Sequence, residues 1–399
     1  MSSEDSIVGR SLFLITYPRV ASNLFVKILS LQNQPDVLTK DMGGYFFLPA
    51  FMTIDEHKLH SKHVDDWTEE ERSGVKCQYQ AGFDQLQGYV NRARSEHKIL
   101  FVKEHANLMA NPMKQSQYIW DRESTHEDQW RLQVPQSLDI QPQYSTLNDS
   151  VLPDHLLRQI QPTFLIRHPA LVFPSNYRVE ISKKGRVAAA ATKREALDIT
   201  MSMRWSRQLY DFYMTKPQLT LTKSRSQPVI IDAYDVINAP QQLFPRFCTL
   251  TGLDPSKLTF NWKRTSDETR SRVCRATSPA AASYLSTIWA SEGIIKEKAI
   301  DCPEEIDIGL EAVKWREEFG EAEARKLEEW VRRAMPDYMY MWERRLKPEP
   351  ETSEDDGEVK IDEEPSCLTT LLSAFGSVCS RVYWSLRSPK PRKEWQEKV

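Results

Sequence analysis

The residue types best suited to binding or catalysis lie in one short stretch of this chain. There a short apolar run is followed by a cation and then by small polar residues. Arg19 closes the stretch Thr16-Tyr17-Pro18-Arg19, and Ser22 and Asn23 precede an apolar helical pattern. The N–H groups and the dipole at a helix N-terminus attract negative charge, so the stretch predicts an anion site. The Gly-x-x-x-x-Gly-Lys-Ser/Thr pattern of a Walker A loop is absent.

Two further polar groups have residue types that suit transfer of an anionic group. Arg167 follows an apolar run, and Ser175 lies eight positions later near a predicted helix start, so a guanidinium and a hydroxyl could clamp a phosphate. Lys103 and His105 follow another apolar run. A neutral histidine can take the proton of an attacking hydroxyl or amine, and a lysine can stabilise anionic charge. His105 taken alone would more often be a structural histidine.

The elements that must position these groups are short buried strands. Four apolar runs are typical of such strands, and they span residues 12–15, 99–102, 164–166 and 229–231. Helical patterns separate them, including one long pattern over 197–214. Alternating strands and helices predict an α/β fold of three layers, with a central, mostly parallel sheet flanked by helices. Ligands then gather at the carboxyl ends of the strands, where the polar groups lie.

Taken together and in this order, the motifs resemble those of the sulfotransferases, whose fold is like that of the P-loop NTPases. Residues 16–23 resemble the 5′-phosphosulfate loop Thr-Tyr-Pro-Lys-Ser-Gly-Thr-Thr, with Arg19 in place of Lys. Residues 167–175 resemble the 3′-phosphate motif, and residues 103–105 resemble the family's Lys-x-His. Tyr234 matches a tyrosine that lies near the adenine in the family. The resemblance covers about residues 10–260 and, more loosely, the last helical segment to about 346.

The resemblance implies a transferase that moves a sulfuryl group from 3′-phosphoadenosine 5′-phosphosulfate (PAPS) to a hydroxyl or amine of a small organic acceptor. His105 would be the general base, and Lys103 and Arg19 would stabilise the transferring group. The donor needs no metal, and its predicted contacts are Tyr17, Pro18, Arg19, Val20, Ala21, Ser22, Asn23, Arg167, Ser175 and Tyr234.

Three departures from the family pattern leave other functions open. Ala21 replaces the loop glycine, Leu24 replaces a tryptophan that many members stack on adenine, and the late Arg-Lys-Gly-x-x-Gly-x-Trp-Lys motif is missing. Cations that could substitute for that motif are Lys263, Arg264, Arg270, Arg272 and Arg275. One alternative is therefore an enzyme of this fold that performs histidine acid/base chemistry on another anionic substrate. A second is a non-catalytic scaffold.

The bulk composition excludes several classes. The 399 residues carry a net charge of −3, so no basic field favours nucleic acid. We find no bilayer-spanning apolar run and no signal peptide, and the six cysteines are scattered, which predicts a cytoplasmic protein with reduced thiols. His57, His60 and His63 recur every third residue, but nothing completes a metal site, so a solvated surface is expected there.

The expected organisation is a core domain over 8–347 followed by a tail. An irregular insertion at about 106–152 could be a substrate lid or surface decoration, and its Trp120 and Trp130 would suit an organic acceptor. Pro336 is expected to kink or interrupt the last helical segment, residues 325–346. The predicted tail comprises an acidic disordered linker (348–365), an amphipathic helix (366–388) and a basic end (389–399). That helix would contact either a membrane surface, peripherally, or protein.

Overall fold

The computed structural model describes residues 11–125, 130–134, 142–215, 227–276, 281–295 and 301–349. Its centre is one sheet of five parallel strands in the order β2-β3-β1-β4-β5. The strands are β1 (Ser11–Thr16), β2 (Val37–Gly44), β3 (Ile99–His105), β4 (Ile160–Ile166) and β5 (Val229–Asp232). The predicted tail over 348–399 lies, from residue 350 onward, outside the described residues, so its linker and helix stay predictions.

Helices connect the strands and cover the sheet. They are α1 (Ser22–Leu29), α2 (Leu48–Glu56), α3 (Glu69–Ser95), α4 (Ala106–Met109), α5 (Pro112–Trp120), α6 (Asp154–Leu157), α7 (Pro169–Lys184), α8 (Arg186–Ala190), α9 (Arg194–Thr200), α10 (Arg204–Met214), α11 (Ala233–Asn238), α12 (Pro240–Thr251), α13 (Asp267–Ala276), α14 (Ala281–Ala290), α15 (Ile308–Phe319) and α16 (Glu321–Trp342). Helix α3 packs on β2 and β3, and α16 packs on β4 and β5. The predicted three-layer α/β fold is confirmed.

All four predicted strands are present because their side chains are buried on both faces of the sheet. Every residue of β1 and β4 is buried, as a continuous apolar run requires when helices cover both sides. Strand β2 was not predicted. Its sequence, Val-Leu-Thr-Lys-Asp-Met-Gly-Gly, has little apolar character, and its pairing with β3 shifts register between Thr39 and Gly44. Only the tertiary pairing makes this edge segment a strand.

One prediction about the helices is wrong, and the structure removes one of the two alternatives given for another. The pattern over 197–214 is two helices, because the Trp205 indole donates to the Ile199 carbonyl at 3.0 Å and the Ser202 hydroxyl caps Arg204 N–H at 3.2 Å. The predicted interruption at Pro336 does not occur, since α16 continues through it. Burial of Tyr338 and Met341 beyond the proline holds that last stretch against the core.

The histidine series and the insertion also differ from expectation. His60 and His63 are buried, not solvated, with His60 Nε2 3.1 Å from Gln115 Oε1 and His63 Nδ1 accepting from Asp65 N–H. Within the insertion, α4 and α5 are regular helices. Trp130 is buried against Trp67, so it belongs to the core and does not present its ring to an acceptor. Among the described helices, none is long and apolar enough to cross a bilayer.

Candidate active site

Parallel strands bring the polar ends of β1, β3 and β4 to one edge of the sheet. Thr16, the last residue of β1, pairs in register with His105, the last residue of β3. On the other side of β1, Ile15 pairs with Phe164 of β4, three residues before Arg167. Consequently the turn after β1 lies between the Lys103–His105 segment and the start of α7.

That turn has an unusual backbone. Arg19 has φ 71° and Ala21 has φ 63°, both in the left-handed region. Ala21 is also the N-cap residue of α1 and supplies no side-chain cap. The position therefore does need positive φ, where the family's glycine is unstrained and alanine costs about 1–2 kcal/mol. Strain of this kind persists where the surroundings enforce it, and often at functional sites.

The side chain of Arg19 joins the turn to α7 and α14. Its Nε donates to the Ser175 hydroxyl at 3.0 Å, and an Nη donates to the Tyr284 carbonyl at 3.1 Å. Arg167 in turn donates to the Arg19 carbonyl at 3.0 Å. The structure thus brings the two predicted phosphate motifs into direct contact. Tyr284 was not predicted, because it contributes a backbone carbonyl, which any residue could supply.

Arg167 keeps part of its hydrogen-bonding capacity unused. Its Nε is buried and has no hydrogen-bond partner within the described part of the chain. Burial is the main cause that lowers its pKa, with the nearby Arg19 cation adding to the effect and Asp232 opposing it. A buried donor without a partner is costly, and an anion placed here would satisfy it.

Lys103 is buried beside the turn, with 1% of its surface exposed. Its Nζ donates to Asn23 Oδ1 at 2.7 Å and lies 4.8 Å from the centre of the Tyr45 ring. Burial lowers the pKa of Lys103 to about 7, although the neighbouring Glu104 charge opposes the shift. Keeping the Lys103 ammonium charged in this buried position costs free energy, and a bound anion would offset that cost.

His105 has a partner at each ring nitrogen. Nδ1 lies 2.6 Å from Thr16 Oγ1, and Nε2 lies 3.4 Å from the Tyr45 hydroxyl. Burial, and secondarily the Lys103 charge, lower the pKa of His105 to about 3. The imidazole is therefore neutral near pH 7, and one of its nitrogens keeps a lone pair that can accept a proton.

The end of β2 closes this side of the site. Tyr45 N–H donates to the Lys103 carbonyl at 3.0 Å, and a Cβ on Gly44 would collide with the same carbonyl oxygen. Gly43 adds a positive φ of 88°. Glycine is thus required where the chain passes Lys103. The Gly43-Gly44 pair was the one sequence signal that could have identified Tyr45 as a site residue.

Glu104 points to the opposite face of β3, since side chains alternate along a strand. Its carboxylate accepts from Phe47 N–H at 3.2 Å and from its neighbour His105 N–H at 3.1 Å. Burial raises the pKa of Glu104 to about 7 despite these bonds. Glu104 therefore fixes the start of α2 against β3 and is not a side chain of the anion-facing surface.

The other predicted donor contacts divide into two groups. Ser22 and Asn23 line the turn, and Pro18 and Ala21 are partly exposed in it. The side chains of Tyr17 and Val20 are 0% exposed and pack in the core, which leaves their backbone groups for a ligand. Tyr234 packs its ring against Trp342 of α16, with centroids 5.9 Å apart.

The late cations do not gather into a replacement for the missing glycine motif. Arg264 pairs with Glu292 at 3.3 Å, and Arg270 pairs with Asp267 at 3.3 Å and donates to the Trp289 carbonyl. Lys263, Arg272 and Arg275 are exposed. What this region does bring to Arg19 is α14, through Tyr284. Within the described residues, no cluster of histidine, cysteine, aspartate or glutamate could hold a metal.

The sheet thus presents the ends of β1, β3 and β4, with their histidine, lysine and arginine side chains, at one edge. No family model matches the chain. It is 38% identical over 351 residues to "Sulfotransferase ppzF" of Metarhizium rileyi, covering 87% of this chain and 99% of the relative. The same-named protein of Metarhizium majus is 38% identical over 342 residues, with coverages of 84% and 96%.

Among solved structures, the chain is similar to the sulfotransferase domain from the curacin biosynthetic pathway. The identity is 12% and the TM-score 0.36, with 77% of this chain and 97% of that domain covered. A sulfotransferase domain from the Synechococcus PCC 7002 olefin synthase gives 15% identity and a TM-score of 0.34, with coverages of 79% and 97%. On the strength of its Metarhizium relatives, the chain belongs to the sulfotransferase family and is a transferase.

Proposed function

We propose that the protein transfers the sulfuryl group of PAPS to a hydroxyl or amine of a small organic acceptor. The observation that carries the proposal is the joining of three separate motifs at one strand edge. Arg19 bonds to Ser175 and receives a bond from Arg167 on one side of the turn. Lys103 bonds to Asn23 on the other side, next to His105.

The donor end of the site consists of Arg19, Arg167 and Ser175. PAPS carries two anionic groups, a 3′-phosphate and a 5′-phosphosulfate, and the turn lies between two sets of cations. Arg167, whose buried Nε has no hydrogen-bond partner among the described residues, and the Ser175 hydroxyl suit the 3′-phosphate. The N–H groups at the start of α1, with Ser22, Asn23 and Arg19, suit the phosphosulfate.

The acceptor end consists of His105 and Lys103. His105 takes the acceptor's proton at Nε2 as the acceptor oxygen or nitrogen forms its bond to sulfur. The bond between sulfur and the phosphate oxygen breaks, and its electron pair leaves with the phosphate. Lys103, next to the turn, stabilises charge on the transferring group. Asn23 holds Lys103 Nζ at 2.7 Å, which fixes the position of this cation before substrates bind.

The test is release of the desulfated product, PAP, from PAPS in the presence of a panel of phenols, alcohols and amines. We expect acceptor-dependent PAP release by the wild-type protein and its loss in His105→Ala. Calorimetry with PAP distinguishes the proposed function from the alternative, an enzyme of the same fold that acts on another anionic substrate. Heat of binding supports the proposal, whereas absence of binding at millimolar ligand would show that the anion site serves a different substrate.

A further inference from the structure

Tyr45 occupies the gap between the base and the turn. It follows β2 with φ 65°, a conformation that an aromatic residue rarely adopts. The bond from its N–H to the Lys103 carbonyl and the absence of room for a side chain at Gly44 enforce that conformation. Strain of this kind often marks functional positions, and here it holds the tyrosine against the predicted base.

Groups from three elements face the Tyr45 side chain. From β3, the His105 ring lies edge-on with centroids 4.9 Å apart, and Lys103 lies over the Tyr45 ring face. From α1, the Ser22 side chain hydrogen-bonds to the phenol, and from α14 Tyr284 lies close enough to interact with its charge. Burial and the nearby Glu104 charge raise the pKa of Tyr45 well above its usual value, so the phenol keeps its proton and can donate it to a hydrogen bond.

The hydrogen bonds around His105 select one tautomer. The Thr16 hydroxyl has a single proton and donates it to the Glu104 carbonyl at 3.2 Å. The contact of 2.6 Å to His105 must then run from Nδ1–H to Thr16 Oγ1. Nε2 therefore carries the lone pair, and the Tyr45 phenol is the donor placed against it.

We propose that Tyr45 is a positioning residue, which holds His105 as the Nδ1–H tautomer with Nε2 directed toward the turn until an acceptor replaces the phenol. The proposal deepens the proposed function and, for its kinetic part, rests on it. The phenol stands where the acceptor's own hydroxyl must lie to give its proton to Nε2.

The test that needs no substrate is nitrogen NMR of histidine-labelled protein near pH 7, with His105 assigned from the spectrum of His105→Gln. We expect the Nδ1–H tautomer in the wild type and a measurable shift toward Nε2–H in Tyr45→Phe, which keeps the ring under Lys103. Tyr177→Phe is the matched control, since it removes a buried phenol that bonds to Glu323. An Nε2–H wild-type signal, or a Tyr45→Phe spectrum unchanged from wild type, would overturn the proposal.

The kinetic arm uses the same variants. We expect kcat/KM for the acceptor to fall roughly three- to tenfold in Tyr45→Phe, in proportion to the fraction of His105 that leaves the Nδ1–H tautomer, with KM for PAPS unchanged. A kcat/KM unchanged from the wild type would contradict the kinetic part of the proposal. If no PAPS-dependent transfer occurs in the wild type, the proposed function fails, while the tautomer measurement still decides the role of Tyr45.

Discussion

The two halves of the site differ in how completely they are built before a ligand arrives. The base half, formed by Tyr45, Lys103 and His105, has partners at each of its functional nitrogens. In the cation half, formed by Arg19, Arg167 and Ser175, a buried guanidinium nitrogen of Arg167 has no partner among the described residues. On the proposed function, this difference gives one half that is preorganised for proton transfer and another half that a bound anion would complete.

Removal of the base should have the largest effect. We expect His105→Ala to lower kcat by about 10²–10⁴-fold, because general-base catalysis contributes that much, while the Kd for PAP stays near the wild-type value. His57→Ala, which changes an exposed histidine, is the control. Steady-state kinetics and calorimetry measure the two quantities. A loss of PAP binding equal to the loss of rate would show that the halves are not separate.

Removal of the Arg167 guanidinium should do the reverse. We expect Arg167→Gln to weaken PAP binding by about 10- to 100-fold, the value of a charge-assisted hydrogen bond of roughly 1.5–3 kcal/mol. With saturating PAPS, kcat should stay within a few-fold of wild type. Arg92→Gln, which removes an exposed arginine paired with Glu96, should change neither quantity. Calorimetry with unaltered PAP affinity in Arg167→Gln would remove Arg167 from the donor site.

The buried lysine should make donor binding depend on pH. The pKa of Lys103 is lowered to about 7, so the ammonium is present below pH 7 and is lost as the pH rises above it. An anion favours the protonated form, so PAP affinity should fall by up to about tenfold per pH unit above 7.

The control for this pH dependence is Lys103→Met. Glu104 titrates in the same range, with its pKa raised to about 7, and it remains in the variant. A flat profile over pH 7–9 in Lys103→Met therefore assigns the dependence to the lysine. A slope that persists in the variant would assign it elsewhere.

The smallest effect belongs to the hydroxyl on α7. We expect Ser175→Ala to weaken PAP binding by roughly two- to tenfold, because the net free energy of one hydrogen bond is about 0.5–1.5 kcal/mol, and to leave kcat nearly unchanged. Ser182→Ala, an alanine substitution further along the same helix, should have no effect on affinity. Equal affinities for the two variants would limit the role of Ser175 to holding Arg19.

The features that could be predicted from the sequence are those that depend on continuous patterns of apolar residues. The four runs of buried strand residues needed no tertiary information, and the order of their polar ends led to Arg19, Lys103, His105, Arg167 and Ser175. Strand β2 was missed because its polar and glycine residues show no pattern of their own, and pairing with β3 creates it. Tyr45 reaches the site through a left-handed turn after β2, which only the packed structure defines.

Other features of the structure depend on tertiary contacts that outweigh local sequence preferences. Pro336 removes one helical hydrogen bond, yet burial of the residues after it holds α16 together. The substitution of the loop glycine by Ala21 would be mild in an ordinary turn, but the observed φ of 63° makes it a strained position. Tyr284 acts through its carbonyl, for which a sequence carries no signature.

A calorimetric titration of the full-length protein with PAP is the direct test of whether the motifs around Arg19, Lys103 and Arg167 hold PAPS. The wild type should bind one PAP per chain, Arg167→Gln should bind more weakly, and His105→Ala should bind as the wild type does. Absence of binding in the wild type at millimolar PAP, or equal binding by the wild type and Arg167→Gln, would contradict the account.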